Sequence, residues 1–311
     1  SRNHLGNSSI DQGAKIRKAS HRQLKLGMLT IGLITLPGTR LGHQPTQGRG
    51  WKLIWLPATG AKKEPSERAI VGPKLDAVAI IGLGPMKARY AQKALLSGKH
   101  ALVDFPLSHE FKEILRLQRI AEERKLCLHS PNLLRTESSI QELKRMTHRP
   151  SGRILSLTLT CSVNTRFKRT DFAAKFVQLL DLSEWLTNSK CIQAHGKIST
   201  IHPSITASVV TLCLESGVIG LVNLYSTPSN SPGRLWIDAV FEDSLLHVDP
   251  FAQAVRLSRF RDNASESVNW APSSLSIALE DFVACIRSKE LYSIPDETER
   301  IFDLARSTMG V

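Results

Sequence analysis

The side chains that could do chemistry are few and scattered along this chain. After the apolar run LGMLTIGLIT (26–35), the segment Leu36-Pro37-Gly38-Thr39-Arg40-Leu41-Gly42 sets two glycines around an arginine. Glycines at such a turn let backbone N–H groups approach a diphosphate, and Arg40 could meet its charge. Lys62 and Lys63 follow the next strand-like run, WKLIWLP (51–57), where they suit either a ribose phosphate or plain solvent. His129, Asn132 and Arg135 fall within HSPNLLR (129–135). Arg135 matches a carboxylate, and His129 offers a ring that titrates near neutrality or a satisfied core histidine. Arg166, Lys168 and Arg169 form a basic cluster that faces an acidic substrate or water. The five cysteines (Cys127, Cys161, Cys191, Cys213, Cys285) show no C-x-x-C pair and no histidine at ligand spacing. They argue for no metal site and for structural thiols in a reducing compartment.

The elements that must position these residues follow from hydrophobic pattern. LDAVAIIGLG (75–84) is a near-continuous apolar run, as a parallel strand covered on both faces requires. KARYAQKALLSG (87–98) has helical spacing and ends at Gly98; HALVDF (100–105) is a strand, HEFKEILRLQRIAEERK (109–125) an amphipathic helix, and LCLHS (126–130) a further strand. This alternation predicts right-handed βαβ units. The first half is compressed. Fewer than 50 residues separate the first strand from LDAVAII, too few for two full crossover helices. Pro37 also removes a backbone donor, and GTRLGHQPTQGRG is a poor helix.

Beyond SSIQELKRM (138–146), a helix, the period changes to two. In RILSLTLTCSV (153–163), Leu155, Leu157, Leu159, Cys161 and Val163 share one face and Ser/Thr the other. A helix over 172–188, five strands with turn signals, and two closing helices (276–289, 296–309) complete the chain. The expected fold is α/β: a shortened Rossmann-type parallel sheet, then an α+β domain with a large, open, mixed and mostly antiparallel sheet. The expected division is a basic flexible segment at 1–25, a dinucleotide-binding-type domain at 26–135 and the sheet domain at 136–311.

Charge is uneven. Of a net +13 over 311 residues, residues 1–75 supply +10, from 13 Lys/Arg against Asp11, Glu64 and Glu67. That one-ended field suggests an anionic partner for the N-terminal part. No apolar run approaches bilayer length, so the expectation is a soluble protein without a transmembrane segment, in the cytoplasm or in an organelle stroma or matrix after processing.

GKHALVDFPLS (98–108), taken with the order of elements around it, resembles the Gfo/Idh/MocA oxidoreductases. Their signature joins Gly-Lys-His, an apolar strand and an acid-Lys-Pro triplet. The triplet here is Asp104-Phe105-Pro106, which looks most like the biliverdin-reductase-like branch. The resemblance runs from about residue 26 to the end. It implies a dinucleotide at Gly38, Arg40 and Gly42, of which Lys62 and Lys63 would favour NADP. It implies a catalytic lysine where Phe105 stands. It also implies an acid-x-Gly-x-His-x-x-Asp helix where Ala174 to Asp181 now read. There Gln178 replaces the histidine, Asp181 remains, and Lys175 is a displaced substitute base, by default a surface charge. Asn132 and Arg135 match the family's loop over the pocket.

Three independent sites are thus degenerate: the glycine loop, the triplet lysine and the helix histidine. They favour a non-catalytic scaffold or subunit of a larger assembly, binding no cofactor and pairing with a protein partner or a second copy through the C-terminal sheet. The alternative is an NAD(P)H-dependent reductase acting on a conjugated anionic substrate, for which hydride transfer asks little of the protein's own acid/base groups.

Overall fold

A computed structural model of the chain describes residues 27–35, 47–56, 58–59, 64–65, 67–72, 74–149, 152–164, 169–202, 205–227, 233–252, 254–261, 265–269, 274–289 and 297–310. Strands β1 (Leu29–Thr35), β2 (Gln47–Gly48) and β3 (Trp51–Trp55) open the chain. A two-stranded ribbon of β4 (Ala58–Thr59) and β5 (Glu64–Pro65) and the short helix α1 (Glu67–Val71) come next. Then β6 (Ala77–Ile81), α2 (Lys87–Leu96), β7 (His100–Val103), α3 (Phe111–Glu123) and β8 (Leu128–His129) alternate. The sheet order is β2-β3-β1-β6-β7-β8, parallel except at β2–β3. This is the expected Rossmann-type sheet. Its order reverses beside β1, and in open sheets of this kind ligands bind beyond the carboxyl ends of the strands at such a point.

All five residues of β6 are buried, because both faces of the sheet are covered. Val78, Ile80, Ala101 and Val103 pack toward Tyr90, Ala91 and Leu95 of α2 and Ile114 and Leu117 of α3. The other face is closed from far along the chain. Helix α6 (Ser274–Ser288) lays Leu275, Ala278, Leu279 and Phe282 on Leu33, Leu53, Ala77, Ala79 and Leu102. The compression seen in the sequence explains this: between β3 and β6 the described helix has five residues, too short to cover a sheet face.

The second sheet follows α4 (Ser138–Met146). Its strands are β9 (Ile154–Asn164), β10 (Cys191–His202), β11 (Ile205–Leu214), β12 (Ile219–Thr227), β13 (Leu235–Phe241), β14 (Ser244–Asp249), β15 (Ala254–Arg259) and β16 (Ser265–Asn269). Their order is β10-β11-β12-β9-β13-β14-β15-β16, with β9–β12 the parallel pair. Helices α5 (Arg169–Thr187) and α7 (Glu297–Met309) lie against it, α7 along β10. The mixed, mostly antiparallel sheet is as expected. Two of its strands, β15 and β16, are not: the alternation of AVRLSR is confined to Val255 and Leu257, and SESVN has a single apolar residue.

Strict alternation in β9 also fails at one end. Leu155 is 45% exposed and Ile154 is buried in its stead. The register against β13 shifts between Val240 and Phe241, so Ile154 faces Phe241 while Ser156 faces Val240. The extra residue turns Leu155 outward.

Candidate active site

The loop from β6 to α2 reads Ile81-Gly82-Leu83-Gly84-Pro85-Met86-Lys87. Gly82 and Gly84 have φ of 70° and 53°, in the left-handed region that a side chain disfavours. This bend carries the chain over the carboxyl edge of the sheet and points the Gly82 N–H at Asp104 Oδ1, 3.2 Å away. Helix α2 then begins with Lys87, only 5% exposed. Its Nζ donates to the Asp104 carbonyl at 2.9 Å and lies 3.5 Å from Asp104 Oδ2. A buried ammonium is costly, and burial pushes Lys87 below the ordinary lysine range. Asp104 opposes that shift, and the charge of Lys175 adds to it.

Phe105, next to this pair, is half-buried and packs on the core, with its N–H donated to Pro131 O at 3.1 Å. The Phe105–Pro106 peptide is cis. Phe105 fills space, as its chemistry dictates. Lys87, a residue the sequence reading left on the helix without a role, brings its ammonium from the neighbouring helix to the backbone of Asp104, the residue before Phe105.

Helix α5 brings the second group of expected residues to the same edge. Lys175 is not a surface charge: it is half-buried and donates to Gln178 Oε1 at 2.7 Å. Gln178 Nε2 reaches Asn132 Oδ1 at 3.4 Å. Asn132 is buried, and its Nδ2 donates to Gln178 O at 3.0 Å and to Asp181 Oδ2 at 2.7 Å. Arg135 grips Asp181 with Nε, at 3.0 Å, and with Nη2, and its guanidinium lies over Trp185. Burial raises the Asp181 pKa, and Arg135 and Asn132 work against that shift. Gln178, Asp181, Asn132 and Arg135 therefore meet, as a clamp between the loop after β8 and α5. Both carboxylate oxygens of Asp181 are engaged within it.

His129 is not at this edge. Its ring stacks on Phe282 of α6, with centroids 6.3 Å apart and planes 11° apart, on the opposite face of the sheet. Burial lowers its pKa, against the charge of Asp281. The histidine near the site is His109, in the turn before α3. Its Nε2 stands 3.7 Å from Asp171 Oδ1 on α5. Burial lowers its pKa, Asp171 raises it, and Lys87 lowers it again, which puts the Lys87 charge within electrostatic reach. His109 also borders a cavity of about 480 Å³ walled by Phe111, Ala174, Val177, Phe302 and Ala305. The sequence placed it as the first residue of an amphipathic helix over 109–125, which gave no sign of this; the helix begins at Phe111.

Gly38, Arg40 and Gly42, Lys62 and Lys63, and the cluster at Arg166 and Lys168 lie outside the described residues, as does the basic segment 1–25. Among the described residues no group of three or more His, Cys, Asp or Glu could hold a metal, and no helix is long and apolar enough to cross a membrane.

No protein-family model and no curated protein matches this sequence. Solved structures do. A UDP-N-acetylglucosamine 3-dehydrogenase, GnnA, from Acidithiobacillus ferrooxidans aligns at 18% identity with a TM-score of 0.62, covering 92% of this chain and 97% of that one. A dehydrogenase from Chromobacterium violaceum aligns at 13% identity and 0.69, covering 92% and 95%. A myo-inositol 2-dehydrogenase from Lactobacillus plantarum aligns at 15% and 0.65, covering 91% and 96%. The fold is that of the Gfo/Idh/MocA oxidoreductases. At these identities the likeness is one of fold, and it spans both sheets. Lys87 pairs with Asp104, the first residue of the Asp104-Phe105-Pro106 triplet.

Proposed function

We propose that this chain is an NAD(P)H-dependent oxidoreductase of the Gfo/Idh/MocA family in which Lys87 takes the place of the triplet lysine. The observation that carries the reading is the buried Lys87 ammonium on Asp104, at the carboxyl edge of a parallel sheet with a reversed strand order. A desolvated charge at the mouth of a crevice is the kind of group that active sites retain at a cost in stability. The crevice suits a dinucleotide. Gly84 bends the chain there, and a side-chain carbon placed on it would meet no atom of the described residues within 4 Å, which leaves room on that side for a close-lying ligand. The nicotinamide, when bound, supplies the hydride. Lys87 would orient an acceptor oxygen and stabilise the charge that grows on it. His109, held by Asp171, is the nearby group that can pass a proton. The cavity beside it is mostly apolar, and Lys112 and Arg306 line it together with one acid, Glu110, which suits a conjugated acceptor that carries an anionic group.

A second reading, the non-catalytic scaffold, is favoured by the clamp. Gln178 and Asp181 spend their hydrogen bonds on Asn132, Lys175 and Arg135 rather than on an open pocket. The outer face of the second sheet, with Val209 at 54% and Ile219 at 60% exposure, would then seat a partner or a second copy. The basic N-terminal part would meet an anionic one.

Calorimetric titration with NADPH and NADH, followed by a screen of carbonyl and conjugated acceptors for nucleotide oxidation, separates the two. Micromolar binding with turnover supports the oxidoreductase. Binding of neither nucleotide supports the scaffold.

A further inference from the structure

Two of the dispersed thiols meet. Cys127 leads into β8 and is buried; Cys285 lies on α6 and is half-buried. They are 158 positions apart in sequence, yet their sulfurs are 2.9 Å apart, inside the contact distance of two unbonded sulfur atoms. Both are fixed in place. The Cys127 N–H donates to His100 Nδ1 at 2.8 Å, and its carbonyl accepts from Ala101 N at 2.9 Å, inside the β7–β8 pairing. Two residues beyond Cys285, Arg287 Nη2 donates to Gly50 O at 3.2 Å, which ties the same end of α6 to the turn before β3.

We propose that Cys127 and Cys285 are a disulfide-forming modification site that bolts α6 onto the parallel sheet. The oxidant is hydrogen peroxide. It oxidises Cys285, the more exposed thiol, to a sulfenic acid and leaves as water. Cys127 sulfur then attacks the sulfenic sulfur. The S–S bond forms, the S–O bond breaks, and the hydroxyl leaves with the Cys127 proton as a second water. Two thiols lose two electrons and one peroxide gains them. Cys127 is the more buried of the two, so Cys285 meets the peroxide first and Cys127 resolves it. The bond would close a loop that contains the whole second sheet, the arrangement in which a cross-link restricts the unfolded chain most.

Cys191 and Cys213 are the rival pair, since the Cys213 charge bears on the Cys191 thiol. The test uses the full chain, treated with hydrogen peroxide and quenched in acid under denaturing conditions. The free thiols should fall by two from five. A non-reduced peptide map should show one cross-linked species, carrying Cys127 and Cys285. The thermal midpoint should rise by about 5–10 °C and return on reduction. In a Cys285→Ser variant the thiol loss and the shift should vanish, while Cys161→Ser keeps both. An unchanged thiol count in the wild-type chain, or a cross-link joining Cys191 to Cys213, would overturn the proposal, whether or not the variants fold.

Discussion

Lys87 Nζ sits 2.9 Å from the carbonyl oxygen of Asp104 and 3.5 Å from its carboxylate, with both side chains largely withdrawn from water. Asp104 is also the acceptor for Gly82, so one residue fixes the loop after β6 and the first residue of α2. Lys87→Met should strand the Asp104 carboxylate and lower stability by about 2 kcal/mol in denaturant unfolding. Adding Asp104→Asn, which keeps an acceptor for Gly82, should recover about half of that loss. Equal unfolding midpoints for the wild type and Lys87→Met would show that the pair is not formed.

The clamp on α5 makes a different prediction. Asp181 is 16% exposed, and Arg135 opposes the upward push that burial gives its pKa. Arg135→Ala should cost about 3 kcal/mol, because the carboxylate is left buried beside Asn132 alone. In the Arg135→Ala background, Asp181→Asn should cost little, and a double-mutant cycle should give a coupling of about 1–2 kcal/mol.

Arg300 provides a control remote from the crevice. Its Nη2 meets both oxygens of Glu184 at 2.7 Å, and its Nη1 donates to Cys191 O at 2.8 Å, joining α7 to α5 and β10. Arg300→Met should lower stability by about 2 kcal/mol and leave nucleotide affinity unchanged, as measured by unfolding and by calorimetry.

Acid should weaken the fold through its half-buried histidines. Burial sets the folded-state values of His100, His109 and His129 below the ordinary one. The unfolded chain then binds more protons than the folded chain once pH falls below about 6.5, and stability drops from there toward the lower folded values. His100 has a further reason, since its Nδ1 must stay unprotonated to accept from Cys127. The thermal midpoint should fall between pH 7 and pH 5, and His100→Gln should make that fall shallower.

Periodicity exposed most of the architecture and little of the chemistry. The strands of the first sheet announce themselves because burial on both faces demands unbroken apolar runs such as AVAII. β16 stayed hidden because an edge position tolerates polar residues such as those of SESVN, and β15 because its apolar alternation is confined to Val255 and Leu257. Phe105, Gln178, Asp181 and Arg135 were legible as a set, since each occupies a motif position. Lys87 was not. Its partner lies 17 positions on, across a helix and a strand, and a lysine opening a helix reads as solvated until burial is known. The same holds for Cys127 and Cys285, which the late return of α6 to the first sheet brings together.

The central claim is that the crevice beside Lys87 holds a nicotinamide dinucleotide, and titration of the full chain with NADPH tests it most directly. Tryptophan fluorescence should be quenched saturably with a micromolar dissociation constant, and Arg300→Met should leave that constant unchanged. Failure of both NADPH and NADH to saturate the wild-type chain at millimolar concentration would contradict the account.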